Sequence, residues 1–301
     1  MAGADPQVVI TLDAAYSSGL LPRRDPSGHK GTFGTVLCVA GSLDYLGAAL
    51  LTSAAAVRSG AGLVALAVPG NLQSLVAGRV PEVVTLALAQ GPAVGDVDPE
   101  AAFAKLMARE AAAMVVGPGL AEPEGYGALL MRLLAQSAAP MVIDGSALNL
   151  LARSPDWWSA VIARCVLTPH PGEFARLMGA PVGGADSERR LACAAAAIRF
   201  RQVVVLKGAR TVLAEPNGRI ALSPFAIPAL ATAGSGDVLS GLIGALLAQG
   251  AAPFDAACLG VYLHARAGER LSWRYGDAGV AASELPLEIA LARHELAAHS
   301  A

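Results

Sequence analysis

The sequence is punctuated by short, mainly apolar runs, most of them closed by a glycine, a proline or a reactive polar residue. TVLCVAG (35–41), LVALAVP (63–69), VVTLAL (83–88), AMVVGPG (113–119), PMVIDG (140–145), CVLTPH (165–170) and VVVLKG (203–208) carry no polar alternation. A strand with one face in water alternates apolar and polar residues; one without alternation is buried on both faces. Longer segments of helical composition separate the runs, such as GAALLTSAAAVRSG (47–60), PEAAFAKLMAREA and YGALLMRLLAQSA. The series predicts a mostly parallel central sheet with helices on both faces, a three-layer α/β fold. No linker or repeat interrupts it, so residues 1–301 read as one domain. TVLAEPNGRIAL (211–222) breaks the pattern with two short strands around Pro216-Asn217-Gly218, a hairpin. From residue 234 the chain reads as helices that cap the sheet.

Composition narrows the function classes. Apolar residues make up 54% of the chain and charged ones 15%, which excludes a disordered chain. The longest uncharged stretch, between Arg58 and Arg79, is broken by Pro69, Asn71 and Gln73, so no membrane-spanning helix is expected. Net charge is −2 without a basic run, so neither nucleic acid nor an anionic membrane is an expected partner. MAGADPQVVI has no basic leader, which points to a cytoplasmic protein. Cys38, Cys165, Cys193 and Cys258 lie among apolar neighbours with no CxxC pair and read as core. The low charge content points to a homo-oligomer.

In parallel sheets ligands bind at the carboxyl ends of the strands. Here those ends read Gly41-Ser42, Gly117-Pro118-Gly119, Asp144, Thr168-Pro169-His170 and Lys207-Gly208. Ala233-Gly234-Ser235-Gly236-Asp237 precedes an apolar helix. Its glycines allow close backbone approach, and free N–H groups at a helix start attract phosphate. Asp237 is then either a base that takes a proton from an attacking hydroxyl or a helix cap. Lys207-Gly208-Ala209-Arg210-Thr211 either lies along a nucleotide or is a solvated strand end. In TPHPGEF (168–174), His170 projects from a proline-stiffened turn, and Glu173 falls in the first helical turn, where it could orient a Mg²⁺-bound water. His29, His264, His294 and His299 lack such context and read as surface or interface residues. No Walker A spacing and no GxSxG elbow is present.

HKGTFG (29–34), VVGPGL, VIDGSALNLL, LTPHPGEFARLMG, VVVLKGART and ATAGSGDVLSGLIGALLAQG occur in an order that closely resembles the ADP-dependent NAD(P)H-hydrate dehydratase family, over about residues 12 to 272. The resemblance implies a ribokinase-like fold and a cofactor-repair reaction. ADP would phosphorylate the hydroxyl of hydrated NADH or NADPH (the S epimer), and loss of phosphate would restore the ring, giving NAD(P)H, AMP and phosphate. It implies that Gly236, with Gly234 and Ser235, binds nucleotide phosphates and that Lys207, Gly208, Ala209, Arg210 and Thr211 line the nucleotide. Asp237 would be the catalytic base. Ala48, Gly119 and His170 would contact the hydrated dinucleotide, with Asp144 and Asn149 beside them. Mg²⁺ is the implied cofactor and a homotetramer the favoured assembly. Two departures stand out. The segment usually reading DADALN is Asp144-Gly145-Ser146-Ala147-Leu148-Asn149, and Ala233 replaces a glycine, whose methyl group is expected to narrow the loop. Many members carry an epimerase domain ahead of this region; a chain starting here is expected to lack it and to rely on a separate epimerase protein. The alternative is a ribokinase-like kinase acting on a small-molecule hydroxyl.

Overall fold

The computed structural model describes residues 9–93 and 95–298. Ten strands form one sheet: β1 (Val9–Thr11), β2 (Thr35–Val39), β3 (Leu63–Pro69), β4 (Val83–Leu88), β5 (Ala113–Val116), β6 (Met141–Ile143), β7 (Cys165–Leu167), β8 (Val203–Leu206), β9 (Val212–Ala214) and β10 (Ile220–Leu222). Their order is β1-β10-β9-β8-β7-β6-β5-β2-β3-β4. Pairing is parallel except around β9, which runs antiparallel to β8 and β10. The expected hairpin is therefore present, Ile220 opposite Ala214. The sequence reading missed β1, three residues that extend the edge beside β10.

Helices α1 (Ala14–Ser18), α2 (Leu46–Arg58) and α3 (Gln73–Val76) come early in the chain. Next come α4 (Pro99–Met107), α5 (Glu124–Gln136), α6 (Ser146–Ala152), α7 (Pro171–Met178) and α8 (Asp186–Phe200). The chain closes with α9 (Ser235–Ala248), α10 (Pro253–Tyr275) and α11 (Leu285–Ala298). Successive strand residues feed opposite cores. Val36 and Cys38 of β2 pack under α2, α9 and α10, while Leu37 and Val39 pack under the layer of α4 to α8. Each buried aliphatic side chain contributes about 1.5–3 kcal/mol, and the central strands β5 to β8, covered on both faces, carry no hydroxyl, amide or charged side chain. All four cysteines are free and buried, as expected.

Two packing details aim the functional end. A Cβ on Gly241 would lie 2.0 Å from the Thr52 carbonyl, so only glycine lets α9 press this closely on α2. The order also reverses between β2 and β5: β2 to β4 extend one way and β5 to β10 the other, with β1 added beyond β10. The carboxyl ends of β2 and β5 thus splay into a crevice, bridged where the Gly41 amide donates to the Pro118 carbonyl at 2.8 Å.

Candidate active site

Helix α9 starts at the carboxyl edge of the sheet. Gly234 precedes it with φ +89°, and a Cβ there would meet Leu51 at 2.4 Å, so glycine is required twice over. Among the described residues the Gly236 and Asp237 amides find no carbonyl partner and stand open at the positive end of the helix dipole. The loop is anchored from behind. Ser235 Oγ donates to the Leu230 carbonyl at 2.7 Å, and His264 Nε2 lies 2.9 Å from the Ser235 carbonyl. The Asp237 side chain makes no capping bond and accepts no hydrogen bond from the described residues. Gly234, not Asp237, holds the N-cap position.

Facing this mouth is a cluster of buried charge. Lys207, just past β8, donates to Asp144 Oδ1 at 2.8 Å and lies 3.9 Å from Glu173 Oε2. Ser240 Oγ of α9 donates to Asp144 Oδ2 at 2.7 Å. Burial by itself would raise Asp144, but the Lys207 ammonium and the hydrogen bonds from Lys207, Ser240 and Thr168 hold it below the usual carboxylate range. Lys207 loses stability as a cation by burial, yet Asp144 and Glu173 outweigh this and keep it charged. Burial, with the negative charge of Asp144, pushes Asp237 up to about 7, against the pull of Lys207. Glu173 is likewise pushed up to about 7 by burial, Lys207 again opposing. One carboxylate is thus locked ionised while two titrate near neutrality, a division of labour typical of acid–base sites.

His170 proves to be the N-cap of α7. Its Nδ1 accepts the Gly172 and Glu173 amides at 3.0 and 3.3 Å, and Glu173 Oε2 accepts the His170 amide at 2.8 Å. Because Nδ1 is an acceptor, the neutral ring carries its proton on Nε2, a donor 3.4 Å from Glu173 Oε1. Burial, then the nearby Lys207 and Arg176 cations, lowers its pKa and favours that neutral form. Together Asp144, His170, Glu173, Lys207, Gly236 and Asp237 line one cavity of about 630 Å³.

With this geometry in place, the family can be assigned. A family model described as NAD(P)H-hydrate dehydratase matches residues 36–290. The chain belongs to the NAD(P)H-hydrate dehydratase family. An ADP-dependent (S)-NAD(P)H-hydrate dehydratase of Xanthomonas campestris is 37% identical over 94% of this chain and 96% of that protein. A bifunctional NAD(P)H-hydrate repair enzyme of Moorella thermoacetica is 41% identical over 91% of this chain but 52% of its own length. The chain spans about half the length of such bifunctional relatives. The Bacillus subtilis ADP/ATP-dependent NAD(P)H-hydrate dehydratase, co-crystallised with ATP and Mg²⁺, superposes with TM-score 0.83 at 30% identity, covering 96% and 99% of the two chains. An Enterococcus faecalis ribokinase-like superfamily protein (TM-score 0.79, 24% identity, 99% of both chains) speaks for the fold alone. The fold is ribokinase-like.

Within this dehydratase-family fold, the residues expected from sequence divide into three groups. Gly208, Ala209, Thr211, Gly234 and Ser235 join the cavity wall. Ala48 and Gly119 instead meet at the β2–β5 crevice: Gly119 has φ +62°, and a Cβ there would lie 2.7 Å from that of Ala48. Arg210 and Asn149 line neither place. Arg210 turns out to Asp186 at 2.9 Å, because two exposed opposite charges meet there. Asn149 sits on α6 between Glu122 and Arg176. Ala233 is exposed and outside the cavity wall, so its methyl group does not narrow the site. Gly145 lines the cavity at φ +54°, a conformation suited to glycine.

His264 corrects the sequence reading. It is buried on α10, lines the cavity, and is lowered to about 4 chiefly by burial. Its neighbours one turn away on α10, Gly260, Val261, Ala267 and Gly268, carry no polar side chain, a pattern that could have marked it as internal. His29 and His294 are exposed as expected, while His299 lies outside the described residues. Ser240 and the apolar wall of Phe225, Ile227, Leu230 and Leu239 were also missed; they are ordinary helix and loop residues until the fold assembles them.

Proposed function

We propose that this chain repairs hydrated nicotinamide cofactors, using ADP to dehydrate the S epimer of hydrated NADH or NADPH. The observation that carries the reading is the unpartnered Asp237 carboxylate beside open amides at the start of α9, within the field of Lys207. The amides of Gly236 and Asp237 hold the terminal phosphate of ADP, and Gly208, Ala209 and Thr211 flank the nucleotide. Asp237 takes the proton from the substrate hydroxyl as its oxygen attacks the β-phosphorus. The bond between that phosphorus and the bridging oxygen breaks, and AMP leaves. The ring carbon–oxygen bond then breaks with phosphate as leaving group, a proton is lost from the adjacent carbon, and the double bond returns. Little covalent chemistry falls to the protein; position and charge supply most of the rate. A base near pH 7 combines a useful deprotonated fraction with useful basicity. His170 Nε2–H and the crevice residues Ala48 and Gly119 orient the hydrated dinucleotide.

Mg²⁺ fits the reading through phosphate oxygens and waters rather than a protein cage. Among the described residues no three His, Cys, Asp or Glu side chains form a metal cluster, and the Asp144 oxygens are already taken by Lys207 and Ser240. Glu173, whose Oε2 accepts the His170 amide, would keep Oε1 for a metal-bound water. When bound, the ion would offset the negative charge gathering on the phosphates.

The chain acts as one domain in a cytoplasmic homotetramer and receives the S epimer from a separate epimerase. Four unpaired thiols fit a reducing compartment. Exposed Trp273, Tyr275, Leu287 and Leu291 supply apolar surface for association. None of the described helices is long and apolar enough to cross a membrane.

The test is to mix the protein with hydrated NADH, Mg²⁺ and ADP and follow the absorbance of the reduced nicotinamide ring. Recovery of NADH with release of AMP is expected. A phosphorylated product that is retained would assign a ribokinase-like kinase instead, and nucleotide binding without turnover would leave only a binding module.

A further inference from the structure

A second concavity, of about 370 Å³, is lined by Glu122, Asn149, Ala152, Arg153 and Arg176. It shares α7 with the main cavity: His170 caps that helix and Arg176 lies further along it. A Cβ on Gly172 would stand 2.9 Å from the His170 ring and 3.8 Å from a terminal nitrogen of Arg176, so the guanidinium reaches back toward the imidazole.

Its charges are unevenly spent. Glu122 Oε1 accepts from Asn149 Nδ2 at 2.7 Å, and Oε2 lies 3.2 Å from Arg153, which also donates to the Glu122 carbonyl at 3.1 Å. Glu122 therefore neutralises Arg153. Asn149 turns its Oδ1 to Arg176 Nε at 2.8 Å, which fixes the plane of that guanidinium. Among the described residues no carboxylate pairs with Arg176, and its terminal nitrogens carry no hydrogen bond. A guanidinium pinned at Nε with both terminal nitrogens open is shaped for bidentate contact with a phosphate.

We propose that Arg176 binds a phosphate group of the dinucleotide substrate and that Asn149 is its positioning residue. The inference rests on the functional reading above and extends it from the reacting ring, at His170 and Asp237, to the far part of the substrate. Asn149 thus acts through Arg176 rather than on the substrate itself. Two phosphates share this chemistry, the pyrophosphate bridge and the 2′-phosphate that distinguishes NADPH from NADH.

The experiment compares steady-state kinetics on hydrated NADH and hydrated NADPH for wild type, Arg176→Gln and Asn149→Ala, with ADP saturating. Loss of a charge-assisted hydrogen bond should raise KM for the dinucleotide roughly 10- to 100-fold in Arg176→Gln with kcat changed far less. Asn149→Ala should show a smaller rise in the same direction. Wild-type KM should climb with salt, and that of Arg176→Gln should climb less. A rise for both hydrates assigns the pyrophosphate; a rise for hydrated NADPH alone assigns the 2′-phosphate. Unchanged KM for both, with wild-type turnover intact, overturns the inference alone. Wild-type protein that dehydrates neither hydrate overturns the functional reading and the inference with it. ADP affinity, expected to be equal in all three proteins, reports that the variants are folded.

Discussion

The two ends of the same parallel sheet use similar residues for opposite purposes. At the carboxyl end, buried Asp144 and Glu173 lie close to half-buried Lys207 and Asp237, and desolvation pushes Glu173 and Asp237 up to about 7. At the amino end, cations lie against backbone rather than against one another's counter-charge. Arg24 donates to the Gly60 carbonyl and Arg293 to that of Ser59, closing the negative end of α2. Glycines differ in the same way. Gly236 leaves an open amide toward the cavity, whereas Gly34 and Gly62 only make room: Cβ atoms there would lie 2.1 Å from the Ala248 carbonyl and 1.7 Å from that of Lys30. HKGTFG, so useful for finding relatives, belongs to this structural end. A motif's value for recognition therefore says nothing about its distance from the chemistry.

The contrast can be broken most sharply at Asp237. Asp237→Asn should lower kcat about 10²- to 10⁴-fold while ADP affinity persists. Its stability should rise, because the native carboxyl has a raised pKa. The protonated form is favoured on folding, so the contribution is full below the ordinary value of 3.8 and lost as pH climbs through about 7. The gain in Tm should accordingly be larger at pH 8 than at pH 5. A variant with normal turnover would show that another group is the base.

Next in size is Lys207→Met, which leaves Asp144 buried without its cation. A loss of about 3–5 kcal/mol in denaturant unfolding is expected, together with loss of turnover. At the opposite end, Gly62→Ala should cost about 1–3 kcal/mol through forced backbone displacement, yet leave kcat per folded molecule unchanged. A fall in kcat larger than the loss of folded protein would dissolve the distinction between the two ends. Smallest is the pH effect: kcat/KM should fall as pH drops through about 7, with an apparent pKa shared by Asp237 and Glu173 rather than owned by either. A flat profile between pH 6 and 8 would disconnect those carboxyl groups from catalysis.

Much of this was legible in the residue order. Seven mainly apolar runs marked β2 to β8 because a strand covered on both faces leaves little room for polar side chains, and Pro216-Asn217-Gly218 marked the hairpin. Three-residue β1 was not legible, since so short a run carries no periodicity. At the site, GSGD and the strand-end residues pointed to the cavity because helix starts and strand ends are exposed wherever the fold places them. The surroundings of Asn149 and Arg210 and the place of His264 were not legible, because a side chain's direction depends on partners far away in sequence. Asn149 answers to Glu122 and Arg176, Arg210 to Asp186, and His264 to Ser235.

By itself, the sequence determined the parallel sheet, the helix that opens at Ser235, and the presence of a carboxylate at its third residue. Local pattern suffices for these, because strand burial and helix starts are written in neighbouring residues. Only the tertiary structure decided that Asp237 is left without a partner while Lys207 is spent on Asp144. Which of several buried charges stays free depends on distances across α9, β6 and β8, and no stretch of neighbouring residues encodes those.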